Sequence, residues 1–555
     1  MRTRWLIGPR IERVISGIPI LLFLLFFSVI PLFYLGQMAW VRLGGLRGIW
    51  STLWGPGLAP QLARTALANS LEQGLLSAGI ALGVGLVIGV HLSRSGSAFW
   101  DRMRGLMLLP FLLPSLVMVF GTVGLFGTHG ILGGPFPATQ IFSHGLAGII
   151  FVNVMFNAPA VALFTAASLD GVPRHLEEAA RVQGATAARA FTTVALRPAL
   201  TGAGLGGVLT FLLSFLSFAP PLLLGGPAFF TMEDWIYASD KLIGFEGTPT
   251  AAALALWSVV LLAAPILVYL TFLRGTRLVG RGPGSGNSRP NPVLRSRWTS
   301  YLLGILTAGF AALEVLLLFS VVEQSLTDAL GRWTTSSWEI LASSRVTSFL
   351  QVSLGTTLFN TVFFAILAGG IVFALALPLQ FVEGKSFWGW EALGFFPLLI
   401  SPVILALGLE VAWGGSLGST SLVWVLIVIS QASIALPFGL QAIGVSFHSQ
   451  PPSLVEAART LGSTRFQAFS DIRYPLARPG IQAALLLTLA VGLGEFTATN
   501  FLYIPQFATL SVEIYELQVI RLNGPAFAVA ALLVFLSLGV FVILSVIQPS
   551  RRDLE

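Results

Sequence analysis

Two short polar segments carry the most distinctive chemistry in this sequence. Each contains Glu-Ala-Ala, three further residues and then glycine. A carboxylate can pair with arginine on another surface, alanines let that surface approach closely, and glycine permits a sharp turn. The residues of these two motifs are therefore candidate contacts for a second protein: Glu178, Ala179, Ala180 and Gly184, and Glu456, Ala457, Ala458 and Gly462.

The other residues that could do chemistry form no working constellation. Gly384-Lys385-Ser386 resembles the end of a phosphate-binding loop, but Leu379 stands where the required earlier glycine would be. The sequence has no cysteine, and its histidines share no ligand spacing. We therefore predict no metal site, no nucleotide site and no catalytic activity in this chain.

The elements that must position the two motifs are strongly apolar. Hydrophobic residues make up 55% of the 555 residues and charged residues only 10%, with a mean hydropathy of +0.84. Such a composition is typical of a membrane protein, and a spanning helix needs about 20 apolar residues. We predict an all-α membrane protein with about twelve transmembrane helices, at 14–40, 70–92, 105–127, 143–168, 199–224, 250–273, 301–322, 357–382, 390–413, 420–446, 479–504 and 526–548.

The basic residues indicate how these spans are oriented. With the N-terminus in the cytoplasm, 24 of the 31 lysines and arginines fall on the inner side of the membrane. Both termini and both Glu-Ala-Ala segments are then cytoplasmic. The net charge of +7 lies between apolar segments rather than on one soluble face, so nucleic acid is not a predicted partner.

The chain repeats itself at an offset of 278 residues. The first half, 1–273, has its motif loop near 173–197, and the second half, 299–555, has the equivalent loop near 451–475. The segment 274–298 is rich in Gly, Pro, Ser and Asn, which predicts a cytoplasmic linker. Two homologous six-helix halves are therefore expected.

Both loops match the EAA motif of the permeases of type I ATP-binding-cassette importers, so the chain resembles that family. The likeness points in particular to the fused ferric-iron and thiamine permeases. It extends to Asn69, Asn360, Pro110, Pro114 and the segment TLSVEIYEL that begins at Thr509. One departure is Arg197, where the second half has Pro475, and this departure leaves the local bend of the first loop open.

The resemblance implies partners and a location. Two copies of a cytoplasmic ATPase, which bind ATP and Mg, would contact the two motif loops, and an extracytoplasmic solute-binding protein would deliver the solute. The permease itself would hold no cofactor and would lie in the lipid bilayer of the bacterial cytoplasmic (inner) membrane. Its solute would be ferric iron or thiamine.

Four acidic residues fall within or near the ends of predicted spans: Glu72, Glu314, Glu410 and Glu495. Such acids are costly in a bilayer and usually face protein or a water-filled cavity. Glu495 follows the second motif loop, and the equivalent residue in the first half is Ser217. The pair could line a translocation path for an asymmetric or cationic solute. Equally, Glu495 could be a structural residue satisfied by Ser, Thr or backbone groups.

A transporter or channel driven by an ion gradient is the alternative function. It would account for the apolar helices and for Glu495. It would give no reason for two matched cytoplasmic motif loops. ATP dependence of uptake distinguishes the two functions.

Overall fold

The computed structural model is built from α-helices. It describes residues 9–95, 97, 99–100, 103–104, 113–279, 297–328, 331–343, 351–381, 393–394, 396–417, 421–448 and 450–547. Within these residues, ten helices are long and apolar enough to cross a membrane, and two shorter apolar helices stand at the third and ninth predicted spans. The predicted all-α architecture of about twelve spans is confirmed.

The helices of the first half are numbered α1 to α11 in chain order. Long apolar helices alternate with short ones that lie at the ends of the bundle. Those whose bounds the described residues give are α1 (Pro9–Leu24), α2 (Ile30–Leu43), α3 (Leu46–Trp54), α4 (Leu58–Arg94), α5 (Ser115–Phe126), α6 (Gly145–Asp170), α7 (Arg174–Val182), α8 (Ala187–Ala190), α9 (Leu196–Phe215), α10 (Met232–Lys241) and α11 (Thr248–Val279).

The second half continues the numbering from α12 to α22. Residues 280–296 of the predicted linker lie outside the described residues, while 274–279 are still helical within α11. The helices are α12 (Arg297–Ser325), α13 (Ser336–Leu341), α14 (Leu354–Ala376), α15 (Pro402–Leu417), α16 (Val423–His448), α17 (Pro452–Thr460), α18 (Arg465–Ala468), α19 (Tyr474–Gly494), α20 (Thr497–Leu502), α21 (Leu510–Val519) and α22 (Asn523–Ile547).

The internal repeat is visible in the helix boundaries. Helices α6, α7, α8 and α10 begin and end 278 residues before α16, α17, α18 and α21. A π-helical turn follows α8 at Phe191–Ala195 and α18 at Phe469–Arg473, again at this offset. The first loop therefore bends in the same way as the second, although it has Arg197 where the second has Pro475.

Each half contains a tightly packed trio of helices: α4, α6 and α9 in the first, and α14, α16 and α19 in the second. Small residues permit this close approach. A Cβ on Gly85 would lie 2.5 Å from Val161 Cβ, and one on Gly439 would lie 2.3 Å from Val372 Cγ1. By contrast, a Cβ on Gly79 or Gly83 would meet nothing within 4 Å. Within α4, Gly85 thus serves helix packing, whereas Gly79 and Gly83 do not pack closely against the described residues.

The first long helices of the two halves also pack against the opposite half. Helix α2 packs against α15 of the second half, and α12 packs against α5 of the first. Gly121 is one of the contact points, because a Cβ there would lie 2.8 Å from Leu317 O. The halves consequently form one interlocked bundle with a central interface between them.

Candidate functional site

The two motif loops fold into matching helix–turn–helix units. Pro173 and Pro451 hold extended backbone just before α7 and α17, where a proline needs no hydrogen-bond partner for its nitrogen. Gly184 and Gly462 have φ angles of +89° and +90°, a left-handed conformation that favours glycine and ends each helix. Equivalent turns are thus set by equivalent residues.

A threonine starts the second helix of each unit. The Thr186 hydroxyl accepts from Arg189 N at 3.3 Å, and the Thr464 hydroxyl accepts from Gln467 N at 3.2 Å. Side-chain caps of this kind satisfy backbone N–H groups that the helix itself leaves free. The units are therefore ordered by local sequence in both halves.

The motif residues do not all face the same way. Glu178, Ala179, Glu456 and Ala457 are exposed, whereas Ala458 is buried and Ala180 is half-buried. The first alanine of each motif is thus available to a partner together with the glutamate. The second alanine packs onto the rest of the chain and fixes the helix there.

Glu177, which sequence reasoning passed over, anchors the first motif helix. Its carboxylate forms an ion pair with the largely buried Arg94 at the end of α4. Nearby, Asp170 accepts from Ser93 Oγ at 2.6 Å and from Arg104 Nη1 at 2.7 Å. A polar network therefore joins α7 to the core trio of the first half.

The second motif unit is anchored by aromatic rings instead. The Phe469 ring stacks on Phe381 at a centroid distance of 3.8 Å and on Phe447 at 5.5 Å. Arg473 lies over the Phe447 ring at 5.4 Å and donates to Gln380 O at 2.9 Å. The two halves thus support the same fold with different chemistry.

A cavity of about 230 Å³ lies at the interface between the halves. Both Glu495 and Ser217 line it, so the structure brings this pair of equivalent residues to one space. Ser217 Oγ donates to Asn153 Oδ1 at 3.3 Å. The cavity is consequently bordered by α6, by the end of α9 and by the chain that follows α19.

Glu495 lies at a helix break and not inside a continuous span over 479–504. Helix α19 ends at Gly494, and Glu495 is extended. Its carboxylate accepts from Ala498 N at 2.7 Å, from Thr499 N at 2.9 Å and from Thr499 Oγ1 at 2.5 Å. Glu495 therefore makes the contacts with threonine and backbone groups that a structural role would require. The same residue also borders the cavity. A carboxylate readily accepts hydrogen bonds from the free N–H groups at the start of a helix. The helix therefore breaks at Glu495, whose carboxylate binds N–H groups at the start of α20.

Two equivalent phenylalanines meet across the interface. The rings of Phe218 and Phe496 are buried and stacked, with centroids 6.0 Å apart. Each also contacts an equivalent tyrosine, since Phe218 lies 5.2 Å from Tyr237 and Phe496 lies 5.6 Å from Tyr515. Phe218, Phe496, Tyr237 and Tyr515 define an aromatic cluster, of which Phe218 and Phe496 line the cavity. In the sequence, the 278-residue offset between Phe218 and Phe496 and between Tyr237 and Tyr515 could have indicated this cluster.

Asn69 and Asn360 hold equivalent segments of the two halves. Asn69 Nδ2 donates to Phe230 O at 2.9 Å, and Asn360 Nδ2 donates to Ala508 O at 3.0 Å. The next residue in each case accepts from the start of the following short helix. Ser70 Oγ accepts from Met232 N at 2.9 Å, and Thr361 Oγ1 accepts from Leu510 N at 2.8 Å. These dipeptides thus clamp α10 and α21 to the core.

The other acids of the predicted spans lie away from the cavity. Glu72 is exposed on α4, and Glu314 is buried in α12. Glu410 Oε2 pairs at 2.7 Å with Lys241 Nζ, which also lies 4.2 Å from the centre of the Phe501 ring. Since Lys241 belongs to the first half and Glu410 to the second, this ion pair joins the halves.

Comparison with known proteins places these features in context. Residues 81–278 and 352–553 both match the family described as "Binding-protein-dependent transport system inner membrane component". The thiamine transport system permease protein ThiP of Haemophilus influenzae is 26% identical over 515 residues, with 88% of this chain and 89% of the relative covered. ThiP of Salmonella typhimurium is 25% identical over 505 residues, with the same coverage.

A shorter relative matches one part of the chain. A probable molybdenum ABC transporter permease protein of Haloferax volcanii is 34% identical over 191 residues, which cover 32% of this chain and 70% of the relative. The thiamine permeases are thus matched across both halves, whereas the molybdenum permease is matched over about a third of the chain.

Proposed function

Because the chain belongs to the family of binding-protein-dependent transport system inner membrane components, and is thus the permease of an ATP-binding-cassette importer, we propose that its solute is thiamine. It is a multi-pass protein of the inner membrane. The observation that carries the proposal is the similarity to thiamine permeases over 88% of the chain. The family match over residues 81–278 and 352–553 includes both motif loops.

We infer that two copies of a cytoplasmic ATPase bind to α7 and α17, one to each. Glu178 and Glu456 offer exposed carboxylates to arginines on those subunits. Leu176 and Leu454, at equivalent positions, are 46% and 42% exposed and add apolar contact area. ATP and Mg belong to the ATPase in this proposal, and the permease holds no cofactor.

The charge distribution supports an orientation in which both termini are cytoplasmic. The motif units then face the ATPases, and the opposite side of the bundle receives an extracytoplasmic solute-binding protein. Closure of the ATPases on ATP would move α7 and α17 and change the access of the central cavity between the two sides.

Two alternatives are set aside by specific findings. Family membership decides against a transporter driven by an ion gradient alone. Ferric iron needs several hard oxygen ligands, and Glu495 is the one carboxylate among the described residues that line the cavity. The cavity therefore favours an organic solute.

Transport by the complete system tests the proposal. The permease, ATPase and binding protein encoded together are expressed in a host that lacks thiamine uptake, and entry of labelled thiamine and of labelled ferric iron is measured. We expect saturable, ATP-dependent entry of thiamine. Entry of ferric iron without thiamine would overturn the proposed solute, and entry that persists with a hydrolysis-deficient ATPase would contradict ATP-driven transport.

A further inference from the structure

The central cavity presents a fixed polar pattern. Asn157 is 3% exposed and lines the cavity, and its Nδ2 donates to Asn153 O at 2.8 Å. A carbonyl oxygen can only accept, so this bond sets the orientation of the amide. Asn157 Oδ1 is left as a buried acceptor with no hydrogen-bond partner among the described residues. Such a group is costly unless a ligand or water satisfies it.

The described residues that line the cavity give it negative charge and no positive charge. Glu495 is the one ionisable side chain among its described lining residues. The carboxylate accepts from Ala498 N, Thr499 N and Thr499 Oγ1 and also receives a backbone hydrogen bond from Thr497. These four donors occupy the acceptor positions of its two oxygens, so Glu495 acts on a ligand through its charge. A carboxylate in an apolar surrounding favours a cation over a neutral or anionic molecule.

Four phenylalanines belong to the otherwise largely aliphatic wall. Phe156 and Phe438 lie in the lining together with the stacked pair Phe218 and Phe496. Ring faces attract cations and stack with other rings. The volume of about 230 Å³ is slightly below the ~300–1,000 Å³ usual for small-molecule pockets. It suits a small heteroaromatic molecule.

The polar groups are distributed unequally between the halves. At the 278-residue offset, the equivalents of Asn157 and Glu495 are Ala435 and Ser217. One half thus contributes the neutral acceptor, and the other contributes the charge. An asymmetric ligand could be bound in one preferred orientation, which two identical subunits could not provide.

We propose that this cavity is a binding site of the permease itself for an aromatic organic cation, with Glu495 facing the positive charge and Asn157 Oδ1 accepting a hydrogen bond from the ligand. The inference rests on the proposed transport of thiamine, which carries a cationic ring and an amino-substituted ring. It adds that the permease selects its solute and does not depend on the binding protein alone.

Direct binding to the full chain tests this site. The purified permease in lipid nanodiscs, without ATPase or binding protein, is titrated calorimetrically with thiamine and with thiochrome, its neutral oxidised form. We expect saturable thiamine binding at least tenfold tighter than thiochrome binding. Glu495→Gln should abolish that preference, and Asn157→Leu should weaken thiamine binding at least fivefold.

Glu72→Gln is the matched control, because it removes one acidic charge from an exposed position on α4 away from the cavity. It should bind thiamine within twofold of the unaltered chain. Thermal unfolding of each variant shows whether the fold is kept, and the thiamine-to-thiochrome ratio of the unaltered chain tests the site without any variant.

The possible outcomes separate this inference from the proposed function. Thiamine uptake by the complete system with no saturable binding to the permease, or with equal binding of the cation and the neutral probe, would overturn the site and leave the transport function standing. Absence of thiamine uptake by the complete system would instead remove the proposed function itself.

Discussion

Neighbouring glutamates in the first motif helix have opposite surroundings. Successive residues on an α-helix point about 100° apart, so Glu177 reaches the buried Arg94 while Glu178 faces outward. The second half has Val455 at the position of Glu177, and it keeps only the outward glutamate, Glu456. The shared glutamate is therefore the one that a partner can contact.

Replacement of both outward glutamates, Glu178→Ala with Glu456→Ala, should release the ATPase or abolish transport. Loss of a charged partner at an interface typically costs ~2–5 kcal/mol. Co-purification of the ATPase with the tagged permease measures the effect, and thermal unfolding should show an intact bundle. Normal transport with the ATPase fully bound would contradict the role of these residues.

Glu177→Gln should lower the folding stability of the chain more than it weakens ATPase binding. It removes the charge that pairs with the largely buried Arg94, at a cost of about 1–3 kcal/mol in folding stability. The unfolding temperature of the purified chain should fall, with ATPase binding reduced less than in the double variant. Glu178→Gln is the adjacent control and should leave that temperature unchanged. Equal unfolding temperatures for the two variants would show that the Glu177–Arg94 ion pair adds nothing to folding stability.

At the scale of elements, short helices are held by asparagines that lie far away in the chain. Asn69 is 161 residues from Phe230, and Asn360 is 148 residues from Ala508. Asn360 also donates to Gln506 O at 3.1 Å, so the second clamp carries one hydrogen bond more. These clamps fix α10 and α21 beside the aromatic cluster.

Asn360→Asp should loosen the second clamp. The new side chain has the same shape but cannot donate when ionised, and it places a carboxylate oxygen against two carbonyls. We expect a destabilisation of roughly 1–3 kcal/mol, seen as a lower unfolding temperature. Asn69→Asp affects a single carbonyl and should cost less. A larger loss for Asn69→Asp would refute this ranking.

The motif units show a second contrast between equivalent elements. The first is tied to the core by ion pairs and the second by stacked rings. The two motif units thus share a backbone fold while their described attachments to the core differ in chemistry.

On the scale of the whole molecule, the halves are bound to one another by side-chain and helix contacts outside the cavity lining. The Lys241–Glu410 ion pair and the hydrogen bond from Ser401 Oγ to Glu233 at 2.6 Å cross between them, as do α2 and α12. The interface is therefore both the site of the cavity and the main connection between the halves.

The predicted orientation is tested by two cysteines introduced into this cysteine-free chain. Val182 is 88% exposed within the first motif, and Leu242 is 81% exposed after α10. A membrane-impermeant maleimide applied to intact cells should label Leu242→Cys and not Val182→Cys. Permeabilised cells should label both, and the parent chain neither. Labelling of Val182→Cys from outside would reverse the assigned orientation.

Much of this architecture could be read in the sequence because it depends on local composition and on repetition. Helices long enough to cross a bilayer need only a run of apolar residues, and two copies of the Glu-Ala-Ala motif predict two equivalent loops. The turns at Gly184 and Gly462 can likewise be predicted from nearby sequence, because a residue with left-handed backbone is most often glycine. The family and the two-half architecture were therefore determined by sequence alone.

Only the tertiary structure decided which side chains meet. It separated Glu177 from Glu178, placed Glu495 at a helix break beside the cavity, and left Asn157 Oδ1 as a buried acceptor. Phe218 and Phe496 are 278 residues apart and stack because the two halves pack face to face. Burial and contact over such separations depend on how helices are arranged around one another, and apolar periodicity along a single helix carries no information about that arrangement.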